Sequence, residues 1–239
     1  MKTLNILGYD VLMESLDKIE FKDKMIINTI NPHSYVVSKN DPLFKQALKN
    51  SDVLIPDGSG IVLAANFLYK EKIKKIAGAD LHEFLLQKID NENGKVFYLG
   101  SSNYTLNKIK ERIKKEYPNI LVKTFSPPYK PEFNEEENLE MITKINSFKP
   151  DVLFVGMTAP KQEKWLETNK DKLNFKIAAC IGAVFDFYAG TVKRPSQFWI
   201  DMHLEWLPRF LKEPKRLWRR NFISTPIFLK DLLLAKINL

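Results

Sequence analysis

The segment that concentrates chemistry-bearing residues is DVLIPDGSGIVLAA, residues 52–65, in which an apolar run ends in Pro56-Asp57-Gly58-Ser59-Gly60 and apolar residues then resume. It reads as strand, tight turn and helix, an arrangement that aims unpaired backbone N–H groups at whatever lies above the turn. A carboxylate directly before Gly58 is badly sited for a pyrophosphate laid on that turn. It is well sited to take a proton from an approaching hydroxyl, so Asp57 is a candidate general base. Asp before Gly is also an ordinary turn pair. Its company therefore decides between the two roles.

Four further polar clusters sit where apolar runs end or, for the one beginning at Lys75, at a predicted helix start. They are Thr29-Ile-Asn31, Lys75-Ile-Ala-Gly-Ala-Asp80, Gly156-Met-Thr-Ala-Pro-Lys-Gln162-Glu163 and Gly182-Ala-Val-Phe-Asp186-Phe-Tyr-Ala-Gly190. Polar loop residues are common, and each cluster alone is weak. Several of them at strand carboxyl ends would converge on a single crevice. Gly58 and Gly60 also resemble half of a dinucleotide fingerprint, with Asp80 twenty residues beyond Gly60 where a ribose-binding acid would fall. Position 63 is Leu instead of a third Gly, so a nicotinamide oxidoreductase stands only as an alternative.

The elements that must position these clusters are visible as short apolar or β-branched runs at 4–7, 25–29, 53–55, 96–99, 121–125, 152–155 and 177–181. Between them lie helix-period patterns such as Leu106, Ile109, Ile113 and Leu139, Ile142, Ile145. Alternation of this kind predicts an α/β fold, a Rossmann-like, mainly parallel sheet flanked by helices, with ligands at the strand carboxyl ends. Ser126-Pro-Pro-Tyr-Lys-Pro131 must be a loop, and Glu135–Glu137 suits a helix start.

From Pro195 the strand pattern stops and aromatic-basic segments take over, broken at Pro208, Pro214 and Pro226. Residues 1–192 are thus expected to form an α/β catalytic core, and 193–239 a helical appendage. That appendage holds ten Lys/Arg against four Asp/Glu, which is six of the eight net positive charges, and three of the four tryptophans. A charge excess so localised is a device for something anionic. With aromatics interleaved and an apolar segment from Ile227 to Ile237, the expected partner is an anionic membrane surface. No run of 18 apolar residues predicts a spanning helix, and the first residues show no signal-peptide pattern. The lone Cys180 sits in an apolar run and has no disulfide partner, which fits the cytoplasm.

Six ordered motifs carry a resemblance: Thr29-x-Asn31, Pro56-Asp57-Gly58-x-Gly60, Gly78-x-Asp80-Leu81, Pro160-Lys161-Gln162-Glu163, Gly182-Ala-x-Phe-Asp186-Phe-x-Ala-Gly190 and Leu204-Glu205-Trp206-Leu207-x-Arg209. Together they resemble the WecG/TagA/CpsF family. One departure is Lys75, where that family usually has Arg; lysine keeps the charge but loses the planar fork. The resemblance implies an inverting, metal-independent glycosyltransferase. It would move a sugar of the N-acetylmannosamine type from a UDP-sugar to a polyprenyl-diphosphate-linked sugar, in cell-wall polymer or surface-polysaccharide synthesis. The sequence fits this separately, because it has no Asp-x-Asp pair, and His33, His82 and His203 are scattered.

Without a metal, the leaving diphosphate needs fixed cations, for which Arg209, Arg216 and Arg219 are the candidates. Asp57 would be the base, and Thr29 and Asn31 would orient sugar hydroxyls. Gln162 with Gly182 and Asp186 would hold the uridine end. Gly58, Gly60, Lys75 and Asp80 complete the expected substrate-binding set. No cofactor and no metal is expected, and the enzyme would act as a peripheral protein on the cytoplasmic face of the membrane. A homo-oligomer is left open. A nucleic-acid-binding α/β protein would also explain a basic aromatic tail, but it leaves Asp57 and Gln162 without a role.

Overall fold

A computed structural model describes residues 1–192, 199, 207, 210, 211 and 213–238. Eight strands are found among them, seven where the apolar runs predict them. The eighth, β2 (Tyr9–Leu12), pairs antiparallel with β1 (Thr3–Ile6) as a separate hairpin. Leu7 and Gly8 both have positive φ at its turn, the backbone that matches the twist of two-residue hairpins.

The other six strands are β3 (Met25–Ile30), β4 (Val53–Pro56), β5 (Lys95–Gly100), β6 (Leu121–Phe125), β7 (Val152–Gly156) and β8 (Ile177–Cys180). They form one sheet in the order β4-β3-β8-β7-β5-β6, and every pairing is parallel. The α/β expectation holds. Because side chains alternate along a strand, the two faces have separate cores. Ile27, Ile55, Val96, Tyr98, Phe154 and Ala179 face one way, where they meet α4 (Gly78–Asn91), α5 (Asn103–Glu116) and α8 (Gly182–Ala189). Ile26, Phe97, Leu99, Leu153, Val155 and Cys180 face the other, against α6 (Glu135–Phe148) and α7 (Lys161–Asn169).

The predicted helical spacing holds for Leu106, Ile109 and Ile113, all buried in α5. It fails at Leu139, which is 64% exposed; Met141 takes the inward position with Ile142 and Ile145. Asn134 caps α6 and Glu135–Glu137 form its first turn, where negative charge opposes the positive end of the helix.

A third core cluster joins the hairpin to α1 (Pro32–Ser38), α2 (Pro42–Lys49) and α3 (Ser59–Tyr69). It also contains Phe228 and Leu232 of the C-terminal helix. That helix runs through α9 (Pro214–Trp218), a π-helical turn (Arg219–Ser224) and α10 (Thr225–Ile237). Phe228 packs edge-on to Tyr35, and the Tyr35 hydroxyl donates to Asp231 at 3.0 Å. Lys236 donates to the Leu68 carbonyl, tying α10 to the end of α3. Among the described residues no helix is long and apolar enough to cross a membrane.

Candidate active site

β5 hands the chain outward to β6, whereas β7 hands it inward to β8, so the crevice between β5 and β7 is a topological switch point where ligands of open α/β sheets bind. Gly100 and Gly156 pair across it. Gly100 has φ +114°, and a Cβ there would lie 2.4 Å from the Gly156 carbonyl oxygen. Glycine at 100 therefore lets the strand ends approach, and glycine at 156 makes room for the Phe185 ring of α8, 2.4 Å from where a Cβ would lie.

Above this crevice opens a cleft of about 1560 Å³. Thr29 and Asn31 enter it from the end of β3, and Asp57 from the end of β4. Gln162, Gly182 and Asp186 enter from the ends of β7 and β8, and the Ser126–Pro131 loop forms a further wall. Six of the expected site residues are therefore brought together. The first turns of α4, α5, α7 and α8 also line the cleft. Each presents the positive end of its helix dipole and N–H groups that the helix itself leaves unpaired.

Local sequence explains each placement. Asp57 is held by its own N–H, which donates to the Ile30 carbonyl at 2.9 Å. The following Gly58 takes φ +102°, which a side chain would resist. Asn31 Oδ1 accepts from the N–H groups of His33 and Ser34 at 3.0 Å, so this oxygen caps α1 while the residue lines the cleft. Asp186 Oδ1 accepts from Thr191 Oγ1 at 3.2 Å and Thr105 Oγ1 at 3.4 Å, which fixes the carboxylate at the rim of α5 and α8. A Cβ on Gly182 would lie 2.7 Å from both Gln162 Oε1 and the Met157 carbonyl oxygen, so glycine there lets α7 and α8 close around Gln162.

Gly58, Gly60, Lys75 and Asp80 do not line the cleft. Gly60 is a packing position: a Cβ would lie 2.3 Å from Pro32 Cγ. Asp80 accepts the Ala77 N–H at 2.9 Å and so caps α4. That leaves the dinucleotide alternative without its ribose acid. Lys75 lies in the segment leading to α4, which the Ile76 N–H ties to the Pro56 carbonyl.

Of the expected cations, Arg209 and the side chain of Arg216 lie outside the described residues. Arg219 is exposed and lines a separate depression with His33, Asp41 and Trp218, not the cleft itself. Arg220, one position on, lines the cleft. A count of cations could not separate the two, because the π-helical turn decides which of them faces inward. Sequence reasoning gave no role to Glu163, the last residue of the Pro160–Glu163 motif, which lines the cleft and whose carboxyl is pushed up to about 7 by burial. Its position one residue after Gln162 was the available signal. Among the described residues, no three His, Cys, Asp or Glu side chains gather in a way that could hold a metal ion.

Residues 3–239 match the family described as glycosyl transferase WecG/TagA/CpsF. The chain is 32% identical over 207 residues to an N-acetylglucosaminyldiphosphoundecaprenol N-acetyl-beta-D-mannosaminyltransferase of Bacillus spizizenii, covering 87% of this chain and 78% of the relative. Proteins of the same name in Staphylococcus aureus strains MW2 and MRSA252 are each 28% identical over 214 residues, covering 90% of this chain and 82% of each relative. With a parallel sheet, polar clusters gathered at its carboxyl end and a family match that spans nearly every residue, the chain belongs to the glycosyl transferase WecG/TagA/CpsF family.

Proposed function

We propose that this glycosyltransferase moves an N-acetylmannosamine-type sugar from UDP to a sugar carried on polyprenyl diphosphate, with inversion and without a metal ion. The observation that carries the reading is the convergence of the Asp57 carboxylate and four helix N-termini on one cleft. A base and a set of fixed positive dipoles are what direct displacement of a diphosphate requires. The acceptor and the transferred sugar are those in the names of the Bacillus and Staphylococcus relatives.

In this mechanism the acceptor hydroxyl attacks the anomeric carbon as Asp57 takes its proton. The bond from that carbon to the diphosphate oxygen breaks, and UDP leaves with the electron pair. Thr29 and Asn31 orient sugar hydroxyls, and Gln162 with the Gly182–Asp186 turn holds the uridine end. The departing charge is met by helix N-termini and by arginines of the tail. Arg220 takes the place of Arg219 beside Arg209 and Arg216 in that role, because it lines the same cleft as Asp57 and Arg219 does not.

The acceptor's lipid places the reaction at a membrane, and we assign the enzyme to its cytoplasmic face, in synthesis of a cell-wall polymer or surface polysaccharide. Trp218, Phe222, Leu229, Leu233, Leu234 and Ile237 are exposed on the C-terminal helix. An apolar patch beside basic residues suits an anionic lipid surface. The test is incubation of full-length protein with UDP-N-acetylmannosamine and a short-chain lipid diphosphate bearing N-acetylglucosamine. A disaccharide whose new linkage has the opposite anomeric configuration to the donor is expected. Absence of transfer, with binding of NAD or RNA in place of UDP, would overturn the proposal.

A further inference from the structure

Gln162 and Glu163 occupy the first turn of α7, only 5% and 4% exposed, and both line the cleft. Gln162 Nε2 donates to Glu163 Oε1 at 2.8 Å. Each side chain is left with one buried oxygen, Gln162 Oε1 and Glu163 Oε2, that has no hydrogen-bond partner. Two adjacent buried groups with unused acceptors are costly unless something else meets them. Their place on the cleft wall makes a bound ligand the candidate.

Among the described residues, no charge compensates Glu163 from the elements packed around it. On its own helix, Lys161 lies over the Phe133 ring and donates to the Lys130 carbonyl. Lys164 pairs with Asp41 of α2, and Glu167 bonds Gln46 and Asn50 from that side and Lys170 on its own. β7 has no titratable side chain, and β8 contributes the buried Cys180 thiol, whose pKa is raised by burial and by Glu163.

We infer that Glu163 is a positioning residue that sets the hydrogen-bonding polarity Gln162 presents to the nucleotide-sugar donor. As a carboxylate it accepts the Gln162 amide hydrogen and leaves Gln162 Oε1 to accept from the ligand. As a carboxylic acid it donates to Gln162 Oε1, and the amide turns its NH2 toward the ligand. The inference rests on the reading of this cleft as the UDP-sugar site. The carboxylate form suits a ligand group with a hydrogen to give, such as the uracil imide or a sugar hydroxyl. Burial brings the Glu163 proton to about 7, so both forms are reachable near neutral pH. Donor affinity then rises with pH as Glu163 ionises.

The experiment follows the Gln162 side-chain amide of the full-length protein by ¹⁵N NMR between pH 5.5 and 8.5, with UDP affinity measured calorimetrically at both ends. The wild-type amide is expected to titrate near pH 7, and UDP to bind about tenfold more tightly at the upper end, the worth of one hydrogen bond. In Glu163→Gln both dependences vanish. Donor KM should rise by about the same factor while kcat changes little. Unchanged amide titration or an unchanged pH dependence of UDP affinity in Glu163→Gln overturns the inference. If that variant does not fold, the wild-type protein with ¹³C-carboxyl glutamate suffices, since no carboxyl titrating together with the Gln162 amide overturns it equally. An amide that follows Glu163 in a protein that binds no UDP at any pH overturns the donor-site reading instead.

Discussion

His33 and Ser224 are joined side chain to side chain, Nδ1 to Oγ at 2.9 Å, across 191 positions of sequence. Both are largely shielded from water, and the bond ties the first turn of α1, which carries Asn31 to the cleft, to the π-helical turn that carries Arg220. Ser224→Ala leaves the imidazole nitrogen without this partner. A loss of about 1–2 kcal/mol is expected, read as a melting temperature lower by roughly 2–8 °C for a chain of this size.

Asp57→Asn is expected to keep the fold and UDP affinity while turnover falls by about two to four orders of magnitude, the usual worth of a general base. Single-turnover transfer and calorimetric UDP binding check the two halves. Near-normal transfer by the folded variant would remove Asp57 from the chemistry.

Two buried groups tilt stability in opposite directions with pH. Burial pushes His82 down to about 3, with its Nε2 2.7 Å from the Tyr98 hydroxyl. The unfolded chain binds this proton near the ordinary 6.5. Stability is therefore lost as pH falls through that window, by up to about 4–5 kcal/mol at its lower end. His33, lowered by burial and then by the Arg220 charge, works in the same sense. Glu163 is raised from 4.5 to about 7, so the stability it contributes is present below 4.5 and lost as pH rises through 7. Glu163→Gln should then be more stable than wild type at pH 8, by up to about 3 kcal/mol. Denaturant unfolding at pH 5 and pH 8 measures both.

Transfer is expected to survive EDTA, because helix N-termini and arginines are assigned the charge that a divalent ion would otherwise meet. Arg220→Ala should cost about 3 kcal/mol in the transition state, roughly a hundredfold in kcat. Restoration of chelated enzyme by magnesium or manganese would show that the leaving group is stabilised differently.

Phe228→Ala and Leu233→Ser separate the two faces of α10. Phe228 is buried in the third core cluster and Leu233 is 56% exposed. The first should cost about 3–5 kcal/mol of stability. The second should leave stability nearly unchanged and lower sedimentation with anionic liposomes.

Much of this architecture is legible in the residues, and the exceptions have physical causes. Strands buried on both faces are continuous apolar runs, so β7, VLFVG, is plain. β2 escapes because YDVL is short and carries Asp10 on its outer face, although Tyr9 and Val11 alternate inward as a half-buried strand must. Apolarity does not name a strand's partner, so β1 could not be separated from the main sheet. Helical spacing cannot tell Leu139 from Met141 where a helix rim meets solvent. At the site, Thr29, Asn31 and Asp57 announce themselves by standing at or just beyond strand carboxyl ends. Glu163 does not, because its signature is burial. Arg220 depends on a helix turn that no residue type predicts.

The order of strands has a consequence for biosynthesis. β3–β4 and β5–β6 are neighbours in sequence and can pair as soon as each emerges, but the two pairs meet only through β8 and β7. The middle of the sheet is thus synthesised after both of its flanks. Until residues 152–180 leave the ribosome, β3 and β5 each offer an unpaired inner edge, the kind that recruits other chains. A nascent chain stalled before β7 should therefore be the species most dependent on chaperones, and the strands that build the catalytic crevice are also those that end this exposure.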